Sequence, residues 1–238
     1  MSNYSKYEIN NTDPSEKKRY IRLMFDSIFP TYDLLNRVLS GGIDNLWRKD
    51  LVRMIGSGAG KKILDICCGT GDLTRHLVKN GGGVYSLDFS FNMIAKGVER
   101  GWLSGMNISA DAVNLPFKNR SFDFITIAFG IRNIPDVDIF LSESYRVLKP
   151  EGRLYILEMT RPDNMFVRFF YNLYLTKIVP FIGGVLSGKH EAYRYLAGSI
   201  STFLDRDTLI ERIKHAGFSN VDYKRKTLGV ATIYICGK

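Results

Sequence analysis

Apolar positions recur along the chain in two periods, and the change between them divides it. From residue 14 the spacing predicts helix. Pro14-Ser15-Glu16 is a start signal, and Ile21, Met24, Phe25 and Ile28 fall on one helical face. Pro30 interrupts. A second helical run, Asp33 to Leu39, stops at Ser40-Gly41-Gly42, and a third, from about Asp44 to Ile55, stops at Gly56-Ser57-Gly58. From Lys61 short apolar runs alternate with helical ones. Strands are expected at 63–66, 84–88, 106–110, 122–129 and 153–159, with helices at 72–79, 90–100 and 136–148. The 122–129 run is nearly all apolar, as a strand buried on both faces must be. A helix at 207–216 and strands at 219–226 and 230–236 close the chain. Such alternation predicts an open parallel sheet with helices on both faces. The tight turn near Leu228-Gly229 makes the last strand antiparallel to its neighbour.

Residues 160–206 break the alternation. The stretch from Met165 to Leu186 is rich in Phe, Tyr, Leu, Ile and Val, yet Arg168, Asn172, Lys177, Pro180 and Gly183-Gly184 interrupt it. A helical cap or an interfacial element fits it better than a membrane span.

Composition narrows the picture. With 238 residues, 45% hydrophobic and 24% charged, the chain can bury a full core, which excludes a disordered chain, a fibre and a disulfide-stapled miniature. The polar opening, Met1 to Asp13, lacks a basic-then-apolar targeting pattern. Cys67, Cys68 and Cys236 fit reduced cytosolic thiols, and no metal-ligand spacing joins them to His76, His190 or His215. The net charge of +9 is uneven: residues 153–238 hold thirteen Lys/Arg against seven Asp/Glu, or +6. That excess is either a solvated basic face or an attraction to phosphate, nucleic acid or an acidic membrane.

Candidate chemistry gathers where parallel strands end, the usual ligand rim of such sheets. The first strand runs into Asp65-Ile66-Cys67-Cys68-Gly69-Thr70-Gly71. Gly69 and Gly71 allow a sharp turn and a close backbone approach to a ligand at a helix N-terminus. The second strand ends in Asp88, seventeen residues after Gly71, where a carboxylate can accept both ribose hydroxyls. The third runs into Asp111-Ala112, where a carboxylate can accept from an adenine amino group. A dinucleotide fingerprint would place a third glycine near Thr74, and Leu73-Thr74 stands there instead. An acidic residue before the loop also suits a cationic amino-acid end better than a diphosphate. Both points favour S-adenosylmethionine over NAD.

Here the chain resembles a known family. Leu64 to Gly71 is similar to the first motif of Rossmann-like S-adenosylmethionine methyltransferases, and Val147 to Arg153 to their turn into the fifth strand. More narrowly, the chain resembles the ubiquinone/menaquinone biosynthesis C-methyltransferases. Phe29-Pro30-Thr31-Tyr32-Asp33-Leu34-Leu35-Asn36, Trp47-Arg48, Phe129-Gly130-Ile131-Arg132-Asn133 and Tyr193-Arg194-Tyr195-Leu196 carry the likeness.

The resemblance implies a Rossmann-like α/β fold with a seven-stranded mixed sheet, the last strand antiparallel. An N-terminal helical lid would span residues 1–58. The methyltransferase domain would span 59–238, with a substrate insert at 160–206 before the last helix. S-adenosylmethionine would be held by Thr70, Asp88, Asp111 and Ala112, with Asp65, Gly69 and Gly71 shaping the loop. One position departs: where some relatives carry a serine near the end of the fourth strand, this chain reads Ile127-Ala128-Phe129, so a hydroxyl contact is lost. The implied reaction methylates a ring carbon of a polyprenylated quinol. Arg132 would stabilise the phenolate or hold a water, Asn133 would orient the ring oxygen, and Tyr32 and Asp33 would close the lid. Tyr195 could line the ring pocket or pack in the core. His190 reads as a surface histidine, and Cys67 and Cys68 as packing residues. No metal and no nucleic acid partner is expected. Peripheral contact with the cytoplasmic face of the inner membrane is expected, and a homodimer is left open. Methylation of RNA or of another small molecule is the alternative, with an NAD-dependent oxidoreductase or a plain nucleotide-binding module behind it.

Overall fold

The computed structural model describes residues 13–28 and 32–238; the side chains of Pro14, Ser15, Tyr32, Asp33, Leu35 and Asn36 lie outside that description. Three helices come first: α1 (Pro14–Ile28), α2 (Tyr32–Ser40) and α3 (Ile43–Ile55). They are followed by β1 (Lys62–Ile66), α4 (Thr74–Lys79), β2 (Gly83–Asp88), α5 (Phe91–Glu99), β3 (Met106–Ser109), β4 (Phe122–Ala128), α6 (Val137–Val147) and β5 (Leu148–Met159). The insert supplies α7 (Met165–Leu173), α8 (Val179–Ser187) and α9 (His190–Thr202), with a π-helical turn, Tyr174–Ile178, joining α7 to α8. The chain ends with α10 (Arg206–His215), β6 (Asn220–Lys226) and β7 (Ala231–Gly237).

The seven strands form one sheet in the order β3-β2-β1-β4-β5-β7-β6. β7 runs antiparallel to both neighbours and every other pairing is parallel. Strand order reverses between β1 and β4, which opens a crevice above their carboxyl ends, the expected ligand position. The period-two alternation of strand side chains splits the core. Leu64, Ile66, Leu154 and Ile156 pack with α6 and α10 on one face; Ile63, Tyr155 and Leu157 pack with Trp47, Leu51 and Leu77 on the other.

β5 begins five residues earlier than the hydrophobic pattern predicts. Leu148 already pairs with Phe122, whereas Arg153 pairs with Phe124, so the intervening residues loop out, with Glu151 at φ +63°. The Lys149-Pro150-Glu151-Gly152 turn is thus an irregularity inside a strand, not its start.

The insert is a cap. Tyr171, Leu175, Val179, Ala192, Tyr193 and Ile200 share a core with Ile21, Met24 and Ile28 of α1. The glycine pair read as an interruption has a packing role: a Cβ on Gly183 would collide with the Tyr193 ring, and one on Gly184 with His190, so α8 and α9 meet at backbone distance. The run Met165–Ser187 is 23 residues of continuous helix, long and apolar enough by composition to cross a membrane. One side of it is nonetheless committed to the cap core.

Candidate active site

β1 delivers the chain into a strained loop. Cys67 sits at φ +54°, Gly69 at +55° and Gly71 at +93°. A Cβ on Gly71 would stand 2.7 Å from Leu103 Cδ2, so this glycine is required by both conformation and space. Gly69 differs: a Cβ there would meet nothing within 4 Å, so its backbone faces open room. Asp65 lies beneath, fully buried, accepting from Thr74 Oγ1 at 2.6 Å and Thr126 Oγ1 at 2.8 Å. It ties the start of α4, just after the loop, to β4. Burial, opposed by those hydroxyls, pushes its pKa up to about 6.

The other carboxylates sit where successive strands end. Asp88 Oδ2 accepts from the Gly69 amide at 2.8 Å and Oδ1 from the Ser90 amide at 2.9 Å, so it ties the first loop to the second. Desolvation lifts its pKa to about 6 against the pull of those amides. Asp111 holds the Val113 amide at 3.2 Å and pairs with Lys18, which reaches across from α1. Beside it Ala112 is buried, and Cys67, Leu87, Phe89 and Asn133 complete a small pocket. Thr70 is buried in the loop and lines a second small pocket with Asp65, Gly69, Arg48 and Ala128. Three carboxylates, an open glycine and backbone amides along one rim fit a nucleoside with a cationic end. Cys68 is buried and Cys67 half-buried, and desolvation raises the pKa of both thiols, so neither is a ready thiolate. Among the described residues no group of three or more His, Cys, Asp or Glu side chains could hold a metal ion.

A larger cavity of about 260 Å³ opens beside this rim. α1, α2 and α3 form one wall, the insert helices another, and Phe129 to Asn133 the floor. Its lining is mostly aliphatic and aromatic, including Met24, Ile28, Trp47, Leu175 and Val179. Phe129 is at φ +61°, packs 6.1 Å from the Trp47 ring and lies 4.8 Å beneath the Arg48 guanidinium. Arg132 follows in a 3-10 turn, Ile131–Asn133, buried and paired with Glu158, which is itself wholly buried in β5. Asn133 accepts from the Tyr195 hydroxyl at 3.1 Å.

The structure thus gathers Thr70, Asp88, Asp111, Ala112, Asp65, Gly69 and Gly71 on the rim, and Arg132, Asn133 and Tyr195 at the cavity. Tyr32 and Asp33 open α2, and their side chains lie outside the described residues. His190 is exposed at the start of α9. Sequence reasoning missed Glu158. Its signal was a lone carboxylate inside Leu154 to Met159, an otherwise apolar strand. It also missed Lys18 and the buried Arg48–Asp44 pair, which an i, i+4 spacing could have suggested.

Residues 12–238 match the ubiE/COQ5 methyltransferase family. A demethylmenaquinone methyltransferase of Thermotoga maritima is 43% identical, over 92% of this chain and 96% of its own. A ubiquinone/menaquinone biosynthesis C-methyltransferase UbiE of Saccharophagus degradans is 39% identical, over 93% and 92%. Among solved structures, an S-adenosylmethionine-dependent methyltransferase from Thermotoga maritima, described as a possible histamine N-methyltransferase, superposes with a TM-score of 0.66 at 18% identity, over 90% of this chain and 98% of its own. Magnesium protoporphyrin IX methyltransferase from Synechocystis, with bound SAH, gives 0.63 at 16% identity, over 93% and 99%. These two share the fold. The sequence matches go further, and by them the chain belongs to the ubiE/COQ5 methyltransferase family.

Proposed function

We propose that the protein transfers a methyl group from S-adenosylmethionine to a ring carbon of a polyprenylated quinol, such as demethylmenaquinol or its ubiquinol-pathway equivalent. One observation supports this above others. The apolar cavity shares Arg48 with the glycine-loop pocket and Asn133 with the Asp111 pocket, so a flat ring in the cavity adjoins a nucleoside on the rim.

Asp88 would accept from the ribose hydroxyls, Asp111 and Ala112 would face the adenine, and Thr70, Gly69 and Gly71 would wrap the amino-acid end above Asp65. When bound, S-adenosylmethionine supplies an electrophilic sulfonium methyl. The chain's task is to make a ring carbon nucleophilic and to aim it. Arg132, held by Glu158, presents a fixed cation that favours a ring phenolate. Asn133, its amide oxygen engaged by Tyr195, keeps its NH₂ group for a ring oxygen. Tyr32 and Asp33 stand at the head of α2, whose Leu39 and Ser40 line the cavity, and would close over the ring. Alignment of two reactants accounts for up to about 7–11 kcal/mol of a barrier. Apolar walls exclude water from a reaction in which charge disperses.

At about 260 Å³ the cavity falls just below the roughly 300–1,000 Å³ of ordinary ligand sites, so a long prenyl tail must lie outside it. α7 and α8 offer a surface for that. Phe166, Phe169 and Phe170 are 69, 65 and 65% exposed, with Phe181, Val185 and Leu186 continuing the row. Exposed aromatic rows of this kind, on a chain segment with net positive charge, suit contact with an anionic bilayer. The enzyme would therefore work at the cytoplasmic membrane face. An RNA substrate fits the apolar cavity poorly.

The test uses purified protein, labelled methyl donor and a panel of reduced demethylquinones alongside total RNA. Label in the quinol fraction alone is expected; label in RNA alone overturns the proposal. Sedimentation with anionic vesicles at low salt tests the docking face, which fails if the protein stays in solution.

A further inference from the structure

C-methylation of a quinol releases one proton per turnover, yet the apolar cavity offers it no ready acceptor among the described residues. Asp44, the one carboxylate among the described lining residues, is engaged by Arg48 and accepts from Ser40 Oγ at 2.7 Å. The hydroxyls of Tyr171, Tyr174 and Tyr195 are pushed up by burial, so none is a phenolate near neutrality. Arg132 does not give up its proton.

A second pocket lies on the far side of Arg132. It encloses about 330 Å³ and is polar, lined by Lys17, Asp136, Asp138, Thr202 and Arg212. Arg132, Tyr195 and Ser199 line both spaces, so they form a shared wall. Ser199 is the smallest of the three, buried, its hydroxyl donating to the Leu196 carbonyl at 2.9 Å within α9. The pocket's own carboxylates are occupied: Asp138 pairs with Arg212 at 2.9 Å and Asp136 caps α6 through the Ile139 amide at 2.9 Å.

We propose that the polar pocket is the proton exit of the active site and that Ser199 is a positioning residue that keeps the passage open. The proposal rests on the quinol reading. The ring O–H bond breaks and its proton passes to water standing in the polar pocket. The electron pair left on oxygen feeds the ring carbon, which forms the new bond to methyl while the carbon–sulfur pair goes to sulfur. The hydrogen that the ring carbon carried then moves to the ring oxygen as a proton, so one proton leaves and the ring is restored.

1-Naphthol tests the passage without methyl transfer. Its excited state gives the hydroxyl proton to adjacent water and then emits at longer wavelength. With S-adenosylhomocysteine bound, the wild-type protein should show this naphtholate emission. Ser199→Leu, which fills the wall, should shift emission to the neutral form. The same variant should lower kcat roughly 10²-fold, the lower end of what a positioned proton acceptor contributes, and leave both KM values within about twofold. Thr202→Leu, at the exposed rim of the polar pocket, should act in the same direction more weakly, and it decides the matter if Ser199→Leu fails to fold. If naphthol binds and quinol is methylated, but emission and kcat ignore both substitutions, the exit is overturned and the quinol reading survives. If the wild-type protein neither binds naphthol nor methylates quinol, both fall together.

Discussion

The strand-end rim proposed for the methyl donor and the apolar cavity proposed for the acceptor are built by different means. The rim comes from consecutive strand ends: β1, β2 and β3 deliver Asp65, Asp88 and Asp111 in chain order, and each carboxylate already has donors within the protein. The cavity is assembled from α1–α3, the 131–133 turn and α7–α9, which are far apart in sequence, and its walls are apolar. One is a property of the sheet, preorganised by backbone geometry. The other is a property of the cap, which exists only once α1 and the insert share their core. Substitutions on the rim should therefore strike donor affinity, and those between the two should strike stability.

The largest effect is expected at Asp88. Asp88→Ala removes the acceptor for the Gly69 and Ser90 amides and, on the proposed assignment, for the ribose. Hydrogen bonds to a charged group contribute about 1.5–3 kcal/mol each, so losing two from the ligand weakens donor affinity by roughly 10²–10⁴-fold. Calorimetric titration with S-adenosylhomocysteine measures it, and unchanged affinity would remove the ribose assignment.

Glu158 stands on the seam between the two regions. Glu158→Ala leaves Arg132 buried without its carboxylate, a change that costs about 3–5 kcal/mol, read as a fall in the denaturant midpoint. Arg132→Ala should show a comparable loss together with lower turnover. A turnover loss at full stability would mean that the pair is not structural.

Gly71→Ala sharpens the comparison on the rim. A side chain at φ +93° is strained, and its Cβ would crowd Leu103 at 2.7 Å, so a loss of about 1–3 kcal/mol is expected. Gly69→Ala shares the strain but not the collision. It should be milder in stability and should fall mainly on donor affinity, because its Cβ enters open room.

What was legible in the sequence follows the same division. The strand ends and their carboxylates could be read because each lies beside its own period change, and a short apolar run followed by Asp and Gly marks the turn locally. Arg132 and Asn133 stood out through family resemblance and their place after the fourth strand, but nothing in Gly130-Ile131-Arg132-Asn133 reveals which distant helices cover it. Glu158 was passed over because strand periodicity counts it as one polar residue in an apolar run; its partner lies 26 residues earlier. The start of β5 was misplaced because a bulge has no period.

The pH dependence of donor binding separates rim from cavity further. Asp88 is raised to about 6 from 3.8, with Asp26 and Asp65 as its acidic neighbours. Between about pH 4 and 6 the folded apoprotein holds more protons than the unfolded chain, so the stability due to this group falls as pH rises through that window. On the proposed assignment the ribose hydroxyls donate to the ionised form, so affinity for S-adenosylhomocysteine should rise with pH up to about 6 and level off above it. The slope is at most about tenfold per pH unit. In Asp88→Asn the slope should flatten.

The smallest effect tests whether the two regions are joined. Ser90 caps α5 on the rim: its Oγ accepts from the Met93 amide at 3.3 Å and donates to Asp26 of α1 at 2.8 Å. Ser90→Ala removes a cap, worth about 1 kcal/mol. Asp26→Ala keeps the cap and removes the tie to α1, a polar contact worth roughly 0.5–1.5 kcal/mol, though it also relieves the repulsion between Asp26 and Asp88. If the tie matters, Asp26→Ala should speed hydrogen exchange in α1 while leaving α5 protected, and Ser90→Ala should loosen both. Equal protection of α1 in the two variants and the wild type would mean that the cap seats on the rim through its apolar core and Lys18 alone.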